Sequence, residues 1–364
     1  MILRRVEALR ELGHEISVVR IVPQAPPFNE KWRGYRSIPA AEEIEGIPVR
    51  TIRAFFPPQQ LGMEFIPWQV HRAIRREINR FSPDVLHASF IIPCGQVAVR
   101  QDIPTVVTAH GSDAYRWPYR RPGLMRAARE AITKATRVTA VSGYIGRCVQ
   151  SIAQRDVEII WNGGDERFFY PRERLESRAA LELPADRFIV AFAGNILRAK
   201  GVFDLIEAVS ALKKFAPIVL VAGSGPEEQG LRELALRQGV DLRILGRLPQ
   251  DGVSQMFGAA DAVALPSYNE GLPNVVCEAM LSGRAVVAST VGGIPEIVAH
   301  ERTGLLIGPG QIAELTAAFT KIATDPQARI AMERAARDFA AANLTWRISA
   351  RRYDRVLRAA ASGH

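Results

Sequence analysis

The sequence predicts an α/β protein made of two doubly wound, mainly parallel-sheet domains. Short apolar runs of strand length alternate with amphipathic helical patterns through both halves of the chain. A length of 364 residues is enough for about two domains, each with its own core. Between the halves, Trp161-Asn162-Gly163-Gly164-Asp165 runs into Pro171 and the charged stretch ERLESR, a polar passage suited to a linker. The boundaries read as 1–168 and 169–345, with a closing segment 346–364.

The totals narrow the classes. Hydrophobic residues at 48% and charged residues at 23% are ordinary for a globular protein. No window approaches the ~20 uninterrupted apolar residues of a spanning helix. The opening MILRRVEALR is amphipathic and basic, without the apolar centre of a secretory signal. Cys94, Cys148 and Cys277 are scattered and lack metal-ligand spacing, which fits a reducing cytosol. The net charge of +9 comes largely from arginine, clustered at Arg4-Arg5-Arg10, at Arg72-Arg75-Arg76-Arg80 and at Arg116-Arg120-Arg121-Arg126-Arg129. No helix-turn-helix, zinc or base-stacking pattern accompanies it, so nucleic acid is not an expected partner. The clusters read either as solvated helix faces or as attraction to an anionic membrane surface, giving a cytoplasmic protein with a peripheral site on the inner face of the membrane as its alternative place.

In the first half, Ile2, Leu3, Val6, Leu9 and Leu12 recur at helical steps, Gly13-His14 stops that helix, and Glu15–Val22 is a strand. Residues 23–65 are rich in proline, aromatic and charged residues, with one short strand at Pro48–Arg53. There Phe55-Phe56-Pro57-Pro58 reads as a mobile or acceptor-facing loop or as a packed surface loop. Val70, Ala73, Ile74 and Ile78 mark an amphipathic helix whose outer face carries the second arginine cluster. Strands follow at Val85–Ala88, Ile103–Thr108, Arg137–Val141 and Val157–Ile160, with Ser142 as N-cap of the helix between the last two.

The second half opens with strand Phe188–Phe192 and a turn from Ala193 to Gly201, before a helix with Leu205, Ile206 and Val209 inward. Strand Ile218–Ala222 leads to Gly223-Ser224-Gly225, whose glycines permit close backbone approach to a ligand or simply make a turn. Leu242–Leu245 and Gly246-Arg247 make the next strand and loop. The stretch DAVALPSYNEGLPNVVCEAMLSG organises the rest. Ala262–Leu265 is a buried strand, Asn269-Glu270-Gly271 a loop, Pro273 the first helical residue, and Gly283 the stop. Uncapped N–H groups and the positive end of the helix dipole attract phosphate, while carboxylates accept bonds from vicinal hydroxyls. Strand Ala285–Ser289 and the turn Val291–Glu296 follow, the turn read as structural. Beyond Gly304–Ile307 come two helices rich in Ala and Arg, the last marked by Trp346, Ile348, Tyr353, Val356 and Leu357.

Glu270, seven intervening residues, Glu278, Ala279-Met280 and then Gly283 resemble the signature of the retaining glycosyltransferases of family four. The resemblance implies the GT-B fold: two Rossmann-like doubly wound parallel-sheet domains facing across a cleft, with the last helix crossing back to the first. It implies transfer of a sugar from a UDP- or GDP-linked donor to a hydroxyl of a saccharide or lipid-linked acceptor, with retained configuration, in cell-surface polysaccharide or glycolipid synthesis. Thr108-Ala109-His110-Gly111 resembles a family segment in which the imidazole, here His110, contacts the donor sugar or leaving group. Asp113 either touches the acceptor or caps the next helix, and acceptor choice falls to residues 23–65 and 112–125. Lys200 matches a diphosphate-binding lysine. The arginine that family members carry after Gly194 is Asn195 here, and Arg198 is the candidate replacement. Gly223 and Gly225 approach the nucleotide, and the loop at Arg247 holds the base. The N–H groups of Gly271, Leu272 and Asn274, on either side of Pro273, stabilise the diphosphate, Glu278 the ribose hydroxyls, and Glu270 the sugar.

Asn162-Gly163-Gly164-Asp165 resembles the family's Asn-Gly-Val-Asp hinge with Gly164 in place of valine. The resemblance also places a strand and a Gly-Gly loop ahead of the first helix, so an incomplete N-terminus is expected. No Asp-x-Asp ends a strand, hence neither metal nor cofactor is expected. Alternatives are a nucleotide-sugar epimerase and a non-catalytic nucleotide-sugar-binding module; a phosphorylase-like enzyme would need a pyridoxal-binding lysine context that the sequence lacks.

Overall fold

The computed structural model describes residues 2–24, 33–54 and 64–363, and Phe55-Phe56-Pro57-Pro58 lies outside the described residues. The chain divides into two compact units: Ile2–Ile160 with Ala350–His364, and Trp161–Ser349.

Among the described residues, the unit Ile2–Ile160 holds two sheets. Strands β1 (Val18–Pro23), β2 (Ala41–Ile44) and β3 (Ile47–Ala54) form a sheet in the order β1-β3-β2, with β1 and β3 parallel and β2 and β3 antiparallel. Strands β4 (Leu86–Ser89), β5 (Thr105–Ala109), β6 (Arg137–Ala140) and β7 (Glu158–Ile159) form an all-parallel sheet in sequence order. β1 and β4 are edge strands, because no described strand pairs with their outer sides. The sequence reading has no β2. Its two central positions are Glu42 and Glu43, and it is held by a two-residue turn in which Glu45 and Gly46 both take positive φ, at 51° and 73°.

Helix α1 (Ile2–Arg10) follows the predicted spacing, but Arg5 is not on a solvated face. It is 1% exposed, with its guanidinium carbon 4.2 Å from the ring centroid of Tyr353. Helix α2 (Trp68–Phe81) turns Val70 and Ile74 onto a core shared with Ala54, Ile66, Val97, Ile21 and Ile52. Helix α3 (Pro122–Lys134) packs on the segment Ile91–Ala98 and on helix α4 (Gly143–Ile152), which covers the parallel sheet with its apolar face. Ser142 caps α4 as expected, its Oγ accepting from the N–H of Ile145 at 3.2 Å.

In the unit Trp161–Ser349, the six strands β8 (Ile189–Ala193), β9 (Ile218–Ala222), β10 (Asp241–Gly246), β11 (Ala262–Leu265), β12 (Ala285–Ser289) and β13 (Leu305–Ile307) are all parallel. Their order is β10-β9-β8-β11-β12-β13. Connections run outward from β8 in one direction and from β11 in the other, so the topological switch point lies between β8 and β11. That is where open α/β sheets place their ligands. β9, β11 and β12 are buried at every position, which is why their runs are uniformly apolar.

The charged run read as linker is instead helix α5 (Arg174–Ala180), and its Arg178 is 4% exposed. Arg178 donates to Asp261 Oδ2 at 2.7 Å, and Arg329 donates to the other carboxylate oxygen at 2.8 Å. The N–H of Ile189 also donates to Asp261, at 2.8 Å. These contacts tie α5 and Arg329 to the sheet.

Helices α6 (Val202–Ser210), α7 (Glu228–Gln238), α8 (Gln250–Ala259) and α9 (Asn274–Leu281) are the crossovers. Three helices, not two, follow β13: α10 (Ile312–Thr324), α11 (Pro326–Asn343) and α12 (Trp346–Ala361). Asp325 makes the extra break, accepting from the N–H of Ala328 at 2.9 Å just ahead of Pro326.

Candidate active site

Lys200 ends the turn after β8 and Glu270 lies in the loop after β11, at the carboxyl ends of the two strands that flank the switch point. The lysine Nζ is 2.6 Å from Glu270 Oε1. Glu270 is 8% exposed while Lys200 keeps more contact with solvent, so the pair is partly accessible rather than a core ion pair. Backbone packing fixes the approach of the two loops. Gly201 has φ +66°, and a Cβ there would stand 1.9 Å from the carbonyl oxygen of Pro266. The N–H of Tyr268 donates to the carbonyl of Ala199 at 3.0 Å.

The turn Val291–Glu296 has a larger part than its structural reading suggests. A Cβ on Gly292 would fall 2.0 Å from the carbonyl oxygen of Glu270, and Gly293 N–H donates to the carbonyl of Gly271 at 2.7 Å. This turn backs the loop that carries Glu270. Its signal in the sequence is the Gly292-Gly293 pair at the end of the next strand, β12.

Helix α9 begins at Asn274, with Pro273 in extended conformation at the N-cap rather than in the first helical turn. No side chain caps the helix, so the N–H groups of Asn274 and Val275 and the positive end of its dipole lie at the end of the loop that carries Glu270. Leu272 is buried and anchors the loop through its carbonyl, which accepts from Asn162 Nδ2 at 3.2 Å. Glu278 lies one turn further along α9. Burial, with Asp165 nearby, pushes its carboxyl up to about 7, although the side chain keeps some exposure.

The hinge-like residues pack on this same helix. A Cβ at Gly164 would approach Leu281 Cδ1 to 2.5 Å and the Cα of Glu278 to 3.4 Å. Leu281 is fully buried, so the glycine that replaces the expected valine matches the bulk beneath it. Gly164→Val is therefore expected to destabilise the protein by about 1–3 kcal/mol through overpacking, measured by urea unfolding.

The remaining predicted donor residues surround the neighbouring strand ends. Gly223 follows β9, and a Cβ there would meet the carbonyl oxygen of Gly194 at 1.8 Å; one on Gly225 would meet that of Ile196 at 2.2 Å. Arg247 is exposed and donates to Ser224 Oγ at 3.0 Å. Asn195 is exposed on the β8 turn. Arg198 is not aimed with Lys200. Its guanidinium lies over the ring of Phe203 at 4.1 Å, with Nε 3.3 Å from Glu227. Among the described residues, Lys200 is the cation paired with Glu270.

His110 and Asp113 belong to the other unit, at the carboxyl end of β5. Asp113 is fully buried and accepts the N–H groups of Ile91 at 2.9 Å, Gly111 at 2.7 Å and His110 at 3.1 Å. Through these bonds it holds the loop that carries His110, and its side chain does not cap the short helix that follows. Both ring nitrogens of His110 are buried without a hydrogen-bond partner among the described residues, and the ring lies 4.8 Å from that of Phe90. Burial, then the nearby Arg5 and His87, hold its pKa well below the usual histidine range, so the imidazole is neutral at physiological pH. Orphaned buried nitrogens of this kind call for an explanation, and a ligand group is one.

Residues 1–168 match the family model for Glycosyltransferase Family 4, and residues 173–339 match that for glycosyl transferases group 1. TuaC of Bacillus subtilis, described as a teichuronic acid biosynthesis glycosyltransferase, is 31% identical over 335 residues, spanning 87% of this chain and 82% of TuaC. The chain belongs to glycosyltransferase family four. The D-inositol 3-phosphate glycosyltransferase of Actinosynnema mirum is 31% identical over 334 residues, covering 81% of this glycosyltransferase and 78% of that protein. Among solved structures, the sucrose-phosphate synthase of Thermosynechococcus elongatus matches with a TM-score of 0.84 and 22% identity, over 99% of this chain and 92% of that one. HepE of Anabaena, solved in complex with UDP, matches with a TM-score of 0.76 and 20% identity, over 94% of this chain and 100% of HepE. These likenesses establish the GT-B fold for the glycosyltransferase.

Proposed function

We propose that this glycosyltransferase moves a sugar from a UDP- or GDP-linked donor to an acceptor hydroxyl with retention of anomeric configuration, without a divalent metal. The observation that carries the reading is the Lys200–Glu270 pair, 2.6 Å apart beside an uncapped helix start at the sheet's switch point. HepE, a fold neighbour, is solved with UDP-glucose as well as UDP, which supports a nucleotide-sugar donor.

The bond between the anomeric carbon and the diphosphate oxygen breaks as charge develops on the leaving group. Lys200 and the N–H groups at the start of α9 stabilise that charge. Glu270 stabilises positive character on the sugar ring and binds its hydroxyls. The acceptor oxygen bonds to the anomeric carbon from the same face, and its proton passes to the departing phosphate oxygen. His110, neutral and with both ring nitrogens unpaired among the described residues, is suited to hydrogen-bond a hydroxyl of a ligand. The proposed metal independence rests on Lys200 and the N–H groups at the start of α9 meeting the donor's diphosphate in place of a cation. The names of the relatives favour a saccharide or phosphorylated polyol acceptor in cell-surface polysaccharide or glycolipid assembly. No described helix is long and apolar enough to cross a membrane, and we place the enzyme peripherally on the inner membrane face.

Incubating the full chain with UDP- and GDP-sugars and following nucleotide release tests the reading. Release is expected with one nucleotide class, unaffected by EDTA; no release with either, or activity lost to EDTA and restored by Mn²⁺, would overturn it. Glu278→Gln is expected to weaken donor binding by about 1–3 kcal/mol. Glu278 binds ribose hydroxyls as a carboxylate, and its acid form persists up to about pH 7. Donor affinity should therefore rise as pH increases through about 7 and proton release should accompany binding, whereas the Gln variant should show neither in calorimetry.

A further inference from the structure

The exposed face of α2 combines two features that the transfer chemistry does not use. Phe65 is 74% exposed and Trp68 63% exposed, although side chains of this size usually find cover. From Trp68 the same helical face continues through Arg72, Arg75 and Arg76, all exposed and at spacings of four, seven and eight residues. Arg72 leans over the Trp68 ring at 5.8 Å. The opposite face is anchored by Val70 and Ile74, so the aromatic and basic stripe is held outward by the core rather than by chance.

The nearby carboxylates are turned to other cations. Glu64 pairs with Arg121 at 3.7 Å, and Glu77 lies 3.9 Å from both Arg50 and Arg80. Arg72, Arg75 and Arg76 have no carboxylate partner among the described residues. His71, between them, is pushed below the usual histidine range by burial and by Arg100, so it adds no charge. A solvated helix face would account for the arginines but not for the aromatic pair at its head. A protein partner would account for the aromatics, but a flat stripe of three unpaired cations fits a surface with many mobile negative charges better than a fixed set of carboxylates.

We infer that the face Phe65–Trp68–Arg72–Arg75–Arg76 is the surface by which this protein lies on an anionic lipid bilayer. It rests on the peripheral placement proposed above and gives it a location. The aromatic rings enter the headgroup region, where one edge is apolar and the other wet, and the guanidinium groups meet lipid phosphates.

Co-sedimentation of the full chain with phosphatidylglycerol–phosphatidylcholine vesicles, and with phosphatidylcholine vesicles alone, tests this at low and high salt. Binding is expected to the anionic vesicles only and to fall at high salt. Each arginine near such a surface contributes roughly fivefold, so replacing Arg72, Arg75 and Arg76 together by Gln should lower the partition coefficient by about a hundredfold. Phe65→Ser with Trp68→Ser should weaken binding that the arginines retain, and both variants should keep circular dichroism and nucleotide binding unchanged. If the wild type ignores anionic vesicles, this surface and the peripheral placement both fall, leaving the transfer reading intact. If the wild type binds but neither variant differs from it, the surface is wrong and another arginine cluster makes the contact.

Discussion

Lys200→Ala should lower kcat by about 10²- to 10³-fold while the protein stays folded, the loss expected when one preorganised donor to a developing oxyanion is removed. Lys200 is the cation that reaches the Glu270 loop, because Arg198 is turned to Glu227 and Phe203 and the position after Gly194 is Asn195. Among the described residues, no second cation pairs with Glu270 to replace the lost charge. The truncation also leaves the nearly buried Glu270 carboxylate without its counter-ion, beside the place where a diphosphate would sit. Lys200→Arg should rescue only partly. A planar guanidinium cannot repeat a single 2.6 Å contact without shifting the loop that Gly201 and Pro266 lock together. Steady-state kinetics at saturating acceptor measure the effect, and a kcat within tenfold of wild type would remove Lys200 from leaving-group stabilisation.

Glu270→Gln has two expected consequences of opposite sign. Transfer should fall by about 10²-fold or more, since the amide cannot offer negative charge to the ring as the anomeric bond breaks. Binding of free UDP or GDP should instead tighten by about fivefold. In the unliganded protein the carboxylate holds the Lys200 ammonium, and breaking a partly exposed ion pair costs about 1 kcal/mol that the variant no longer loses. A residue that merely supported the fold would weaken both. Calorimetry with the nucleotide and a single-turnover assay with the donor separate the outcomes, and weaker nucleotide binding in the variant would contradict the displaced-pair account.

The second unit was far more legible in the sequence than the first. Ile218–Ala222, Ala262–Leu265 and Ala285–Ser289 are strands with the predicted bounds because each is buried along its whole length, so periodicity and burial agree. β2 escaped because half of it is glutamate on a three-stranded sheet with one solvated side, and its hairpin rests on the backbone freedom of Gly46. The helix Arg174–Ala180 escaped for a different reason. Its charges look solvated in one dimension, and only the fold brings Arg178 to Asp261, 83 residues away. The same blindness applied to Arg5, which counts toward a basic cluster in sequence and is buried over Tyr353 in space.

The strand–loop–helix pattern that carries Glu270 and Glu278 was legible because the glutamate spacing and the flanking apolar runs reinforce one another, and the structure brings Lys200 to Glu270. The direction of Arg198 was not legible, since it depends on Phe203 and Glu227 rather than on any motif. The backing role of Gly292 was visible only as a glycine pair, because its contact is with the backbone of Glu270 across the loop.

A crystal structure of the protein soaked with UDP or GDP tests the central claim most directly. The account predicts a phosphate oxygen within about 3 Å of Lys200 Nζ, the Lys200–Glu270 contact opened, and the ribose hydroxyls on Glu278. A nucleotide bound elsewhere, with the Lys200–Glu270 pair intact, would contradict it.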